Sequence, residues 1–107
     1  MAFQRFDVYL INLEPALGSE IRKTRPCVII SPNEMNDYIS TVIVAPLTTK
    51  QRNYPTRIFC KVGGKQGQIV LDQIRTVNKM RLLKKIASLS KPVQKNVINK
   101  LLEMFSE

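Results

Sequence analysis

The sequence has 107 residues, with 17 Lys and Arg against 8 Asp and Glu, no His, and a formal charge of +9. A chain of this length is expected to form one domain over residues 1–107, burying roughly two thirds of its unfolded surface, and its 44% hydrophobic content argues against a disordered basic tail. The missing imidazole excludes Ser-His-Asp and Cys-His nucleophiles and paired-His ribonuclease chemistry, and Cys27 and Cys60 alone cannot close a tetrahedral zinc site, so no metal and no cofactor is expected.

Short β-type runs separated by turn chemistry fill the first three quarters of the chain. Residues 6–13 predict a first strand, closed by Pro15 and Gly18. The run 27–31 is continuous enough in β-branched residues to be buried on both faces, and Pro32 ends it. Residues 40–45 predict a third strand before Pro46. In residues 56–62 the alternation places Ile58, Cys60 and Val62 on one face, with Gly63-Gly64 as punctuation. Residues 67–77 read as one extended segment, with Gln73 and Arg75 sharing a face on either side of Ile74. A turn of helix falls near 78–81, and 86–89 reads as a short last strand. Val93, Val97, Ile98, Leu101, Leu102 and Phe105 recur at helical spacing, and Ser90-Lys91-Pro92 supplies a capping hydroxyl and a first-turn proline. About five or six short strands plus one helix predict a strongly bent antiparallel sheet, or partly open barrel, with the helix packed across it.

The signs of the charges are segregated. From Tyr38 to Leu102 there are thirteen Lys or Arg residues and a single acid, Asp72, whereas Asp7, Glu14, Glu20, Glu34 and Asp37 cluster near the start. A solvated surface kept basic for solubility would interleave them, so the pattern favours a polyanion partner. The first residues lack a basic region followed by an apolar run, and no apolar stretch reaches the roughly eighteen residues that cross a bilayer. A cytoplasmic location, with no membrane partner, is therefore expected. Both cysteines sit in β-branched surroundings and read as buried, inert thiols.

Polar, chemistry-bearing residues concentrate in two places beside strands. One is Gly18-Ser19-Glu20-Ile21-Arg22-Lys23-Thr24-Arg25-Pro26, and the other is Pro46-Leu47-Thr48-Thr49-Lys50-Gln51-Arg52. The run Gly18-Ser19-Glu20, then Arg25-Pro26 entering a strand, Ser31-Pro32, Pro46-Leu47-Thr48-Thr49, Tyr54-Pro55 and later Gln73-Ile74-Arg75-Thr76 resembles the MazF/PemK family of toxin endoribonucleases, in order and close to spacing. The matches run from Asp7 to about Leu89. Two positions depart from the family pattern: Phe6 stands where a Gly commonly precedes the strand Asp, and Lys23 where the loop often carries a Gly.

The resemblance implies a homodimer of small SH3-like, CcdB/MazF-type barrels that cuts single-stranded RNA at short sequences, without a metal. Its regulator would be an acidic, partly disordered antitoxin occupying the same groove. The family's catalytic Arg and Thr fall on Arg25 and Thr48. In metal-free cleavage the ribose 2′-hydroxyl attacks phosphorus and charge grows on the non-bridging oxygens, which a planar, always-charged guanidinium matches. Thr48 would hold the phosphate or the leaving oxygen by a hydrogen bond. With no His, the proton acceptor is Arg25 itself, Glu20 in a supporting role, or water. Ser19, Arg22, Lys23, Thr49, Lys50, Arg52, Gln73, Arg75 and Thr76 are the candidate RNA contacts.

On pattern alone, Arg25 as a strand-end partner of Asp7 or Glu14 and Thr48-Thr49 as an ordinary strand-end pair are the plainer readings. Two other functions compete: a gyrase-inhibiting toxin like CcdB, disfavoured because the chain has no Trp and ends Met104-Phe105-Ser106-Glu107, and a non-catalytic RNA-binding barrel.

Overall fold

The computed structural model describes residues 2–13 and 24–107. Its elements are β1 (Asp7–Asn12), β2 (Thr24–Ile29), α1 (Asn33–Tyr38), β3 (Thr41–Thr48), β4 (Arg57–Val62), β5 (Lys65–Val70), β6 (Arg75–Asn78), β7 (Leu82–Ser88) and α2 (Lys91–Phe105). Short 3-10 turns at Leu71–Gln73 and Lys79–Arg81 flank β6.

All strand pairs among the described residues are antiparallel, in the order β4-β5-β3-β2-β1-β7, with β6 also on β3. β3 is the hub. It pairs with β2 through Val44–Pro46, with β6 through Thr41–Val44, and with β5 through Leu47 and Thr48. One strand thus passes from one sheet to the next, which curls the whole into a half-barrel. The mainly β expectation, an antiparallel, partly open barrel with a C-terminal helix, holds.

The β-branched run of β2 is buried on both faces, as its continuity predicts. Val28 joins a first core with Val8, Leu47, Ile58, Ile69 and Val97 of α2, while Cys27 and Ile29 join a second core with Ile11, Val42, Val44 and Val77. Val93, Leu101 and Met104 of α2 pack against the first core. In β4, Ile58 and Cys60 are buried and Phe59 faces out, in the expected alternation. Asp7 is buried and ties β1 to β7, accepting from Ser88 Oγ at 2.9 Å and facing Lys85 Nζ at 3.4 Å.

Four local expectations are corrected, and one helix is added. β3 runs on through Pro46 to Thr48 instead of stopping at the proline. The segment 67–77 is broken by the Leu71–Gln73 turn, which lets β5 and β6 follow the same edge of β3, so Gln73 and Arg75 do not alternate on one strand. The last strand begins at Leu82 rather than residue 86, because pairing with β1 reaches back to Ile11↔Leu82. α1 has no apolar periodicity to announce it: only Asn36 is buried, and it serves polar needs, donating to Ser31 O at 3.0 Å and accepting from Ser31 Oγ at 2.5 Å. Finally, the Ser90 hydroxyl makes no cap bond to α2; the Ser90 carbonyl accepts from Gln94 N at 2.9 Å instead.

Phe6 has φ +75°, the left-handed region that favours glycine, and its N–H donates to Ile29 O at 2.7 Å.

Candidate functional site

β2 and β3 part where β3 turns toward β5. Their register ends at Cys27↔Pro46, and continuing it by two residues sets Arg25 across from Thr48. The divergence opens a groove of about 640 Å³. Its floor is apolar, made of Leu10, Pro26, Cys60, Val62 and Ile86, and its rim carries Arg25, Thr48, Thr49, Lys50, Lys65 and Gln66. No carboxylate is among its described lining residues. A second hollow of about 320 Å³, against α2 at Leu101 and Phe105, has Arg5 as its one cation and no converging hydroxyl except Ser106. The larger groove is the site in which hydrogen-bond donors and cations converge.

Each rim residue is held for a local reason. Arg25 lies in β2, opposite Ile11 of β1, and among the described residues no carboxylate pairs with it; Asp7, a partner weighed on sequence, is engaged by Ser88 and Lys85 instead. Thr48 is the last residue of β3, paired with Gln68 of β5, and its Oγ1 accepts from Lys50 N at 3.2 Å. Beside it Gly67 is buried, and a Cβ there would stand 2.8 Å from Thr48 O. Lys65 and Gln66 are not singled out by the sequence. A signal is nonetheless present, since the Gly63-Gly64 turn, with φ of +58° and +80°, folds Lys65 back opposite Val62 and Gln66 opposite Lys61.

Other candidates fall outside the groove. Gln73 is exposed on the 3-10 turn, and Thr76 is exposed on β6, opposite Ile43. Arg52 lies beyond the groove in the loop after β3, its backbone held by Gln68. Arg75 pairs with Val44 and is not among the groove residues, and both Arg75 and Arg25 act electrostatically on Cys27. Burial outweighs them and pushes the Cys27 thiol up to about 11; burial also raises Cys60. Both thiols are free, buried and protonated at neutral pH, in line with the inert reading. Ser19, Glu20, Arg22 and Lys23 lie outside the described residues.

Asp72, the one acid in the basic stretch, is neutralised in place. Burial alone would raise its pKa, but hydrogen bonds from Thr56 Oγ1 at 2.8 Å and Arg57 Nε at 3.1 Å lower it, so it stays ionised and paired. Arg57 also stacks over Tyr54, 4.9 Å from the ring centroid.

A curled antiparallel half-barrel closed by a C-terminal helix, with a groove lined by apolar residues, cations and hydroxyls, defines a small β-barrel with a basic groove. The chain belongs to the PemK-like, MazF-like toxin family of type II toxin-antitoxin systems, whose family model matches residues 4–105. It is 40% identical over 102 residues to the Endoribonuclease MazF of Staphylococcus saprophyticus subsp. saprophyticus, covering 90% of this chain and 85% of that protein. Solved structures share the fold, two of them as follows. MazE-MazF (Form-II) from Deinococcus radiodurans superposes with a TM-score of 0.84 at 22% identity, covering 97% of this chain and 96% of that one. An endoribonuclease in complex with its cognate antitoxin from Mycobacterial species gives 0.81 at 23% identity, covering 95% and 93%. No helix among the described residues is long and apolar enough to cross a membrane.

Proposed function

We propose that the protein is a toxin endoribonuclease that cuts single-stranded RNA at short sequences by 2′-hydroxyl attack, without a metal. The observation that carries this reading is that Arg25 and Thr48, far apart in sequence, rim one groove that no described carboxylate lines. The 40% identical relative's name, Endoribonuclease MazF, supports the reaction class.

In the reaction the 2′-oxygen forms a bond to phosphorus and its proton passes to an acceptor, while the bond to the 5′-oxygen breaks and that oxygen takes up one proton from solvent, so none is gained or lost overall. The products are a 2′,3′-cyclic phosphate and a 5′-hydroxyl. The Arg25 guanidinium, with donors in a fixed fork, stabilises charge growing on the non-bridging oxygens. Thr48 Oγ1 already accepts from Lys50 N, so its own hydroxyl hydrogen is free to donate to the phosphate or the leaving oxygen. Lys50 and Lys65 hold flanking phosphates, and the apolar floor receives bases by van der Waals contact. With the Arg25 guanidinium charged and without a lone pair, the proton acceptor is Glu20 or water. Solved structures of the same fold bound to a cognate antitoxin or to MazE support an antitoxin partner, the cations of the groove favour an acidic one, and a homodimer in the cytoplasm completes the reading.

Incubation with a long single-stranded RNA in EDTA tests it. Discrete fragments ending in cyclic phosphate are expected; an intact but shifted RNA would instead leave a non-catalytic RNA-binding barrel.

A further inference from the structure

Gln68 is a buried amide, 8% exposed, in a strand whose neighbouring core positions are apolar. Its backbone pairs with Thr48, the last β3 residue on the β5 ladder. Its side chain then takes over: Oε1 accepts from Arg52 N at 3.1 Å and Nε2 donates to Arg52 O at 3.0 Å. The amide thus imitates a peptide unit and continues the ladder that β3 has left. One residue holds both ends of the segment 48–52, the first through its backbone and the second through its side chain.

That segment carries the exposed Thr49 and Lys50 of the groove rim. Gln68 itself does not line the groove, and both of its side-chain polar groups are used on Arg52. A buried amide is costly unless both groups are satisfied. A methionine would fill the position without that demand. Here the two bonds fix a loop that would otherwise lose conformational entropy when RNA arrives.

Resting on the ribonuclease reading above, we propose that Gln68 is a positioning residue that pre-orders the 48–52 loop, so that Thr49 and Lys50 meet RNA phosphate without a further ordering cost. Its effect falls on RNA capture rather than on the bond-breaking step. Gln68→Met removes both bonds to Arg52. Gln68→Glu keeps the acceptor and sets a carboxylate against the Arg52 carbonyl.

Steady-state cleavage and amide hydrogen exchange test this together. For both variants KM is expected to rise on the order of five- to tenfold with kcat within about twofold. The salt slope of RNA affinity is expected to flatten by about 0.7 for each phosphate that the loop no longer holds. The Arg52 amide of the unaltered protein is expected to exchange as slowly as a strand amide, and faster in Gln68→Met. An Arg52 amide that exchanges freely in the unaltered protein overturns the inference without any variant, as do an unchanged KM and salt slope in folded Gln68→Met. Failure of the unaltered protein to cut RNA overturns the ribonuclease reading instead, and the exchange measurement still decides whether Gln68 orders the loop.

Discussion

Gly67 and Thr48 meet so closely that a Cβ on the glycine would stand 2.8 Å from the Thr48 carbonyl oxygen. The glycine is required by this approach, since its φ is unexceptional and its register partner is Cys60. Gly67→Ala must push the end of β3 away from β5 and carry Thr48 with it. We expect a loss of about 1–3 kcal/mol in urea unfolding, as for overpacking, and a fall in kcat/KM on the order of tenfold, because a small displacement of a phosphate-binding hydroxyl is costly. Unchanged stability would mean that the two backbones do not touch.

Phe6 holds φ +75° while its ring packs partly against the first core. Replacing it with Ala removes the ring and keeps the strain; replacing it with Gly removes both. Phe6→Gly is therefore expected to be more stable than Phe6→Ala by about 1 kcal/mol, reversing the usual order, since the left-handed region costs a non-glycine residue roughly 1–2 kcal/mol. Chemical denaturation of the two variants reads the difference. Ala equal to or better than Gly would place Phe6 in an ordinary conformation.

The Cys27 thiol keeps its proton to about pH 11 in the folded chain, against an ordinary value of 9.0, because burial opposes the thiolate. The stabilisation from holding that proton is complete below pH 9.0 and is lost as the pH rises through about 11. Relative to Cys27→Ala, the protein should lose on the order of 2 kcal/mol across that window. Below about pH 8 the two stability curves should run parallel, and native Cys27 should resist alkylation. A rapidly alkylated Cys27 at neutral pH would contradict its burial.

The groove rim presents Arg25, Lys50 and Lys65, and Asp72 is occupied by Thr56 and Arg57. With about three phosphates held, the logarithm of RNA affinity should fall with the logarithm of salt at a slope of about −2, and Lys65→Ala should flatten it by about 0.7. Titration of a fluorescent single strand at several salt concentrations measures this. A flat response would remove the polyanion reading.

Much of this architecture is legible in the sequence because burial imposes periodicity. The continuous run of β2, the alternation of β4 and the helical stripe of α2 each bury residues that their spacing announces. What the sequence hides depends on backbone geometry or on polar partners. α1 buries only Asn36, and the break at Leu71–Gln73 allows two strands to share one edge of β3. In the site, Arg25 and Thr48 are marked by the motifs, whereas Lys65 and Gln66 arrive through hairpin register. Gln68 is invisible because its importance lies in bonds to the backbone of Arg52, sixteen residues away. Gln73 and Thr76, marked by the same motifs, stand outside the groove.

Single-turnover cleavage of a single-stranded RNA by Arg25→Ala, in EDTA and beside the unaltered protein, bears most directly on the chemistry assigned to the groove. Arg25 is exposed at the edge of β2, so its removal should leave the fold and its unfolding midpoint unchanged. The cleavage rate should fall on the order of a hundredfold or more, the loss expected when a transition-state donor is removed. Cleavage by a folded Arg25→Ala protein at the unaltered rate would contradict the role of the guanidinium, and with it the assignment of this groove as the active site.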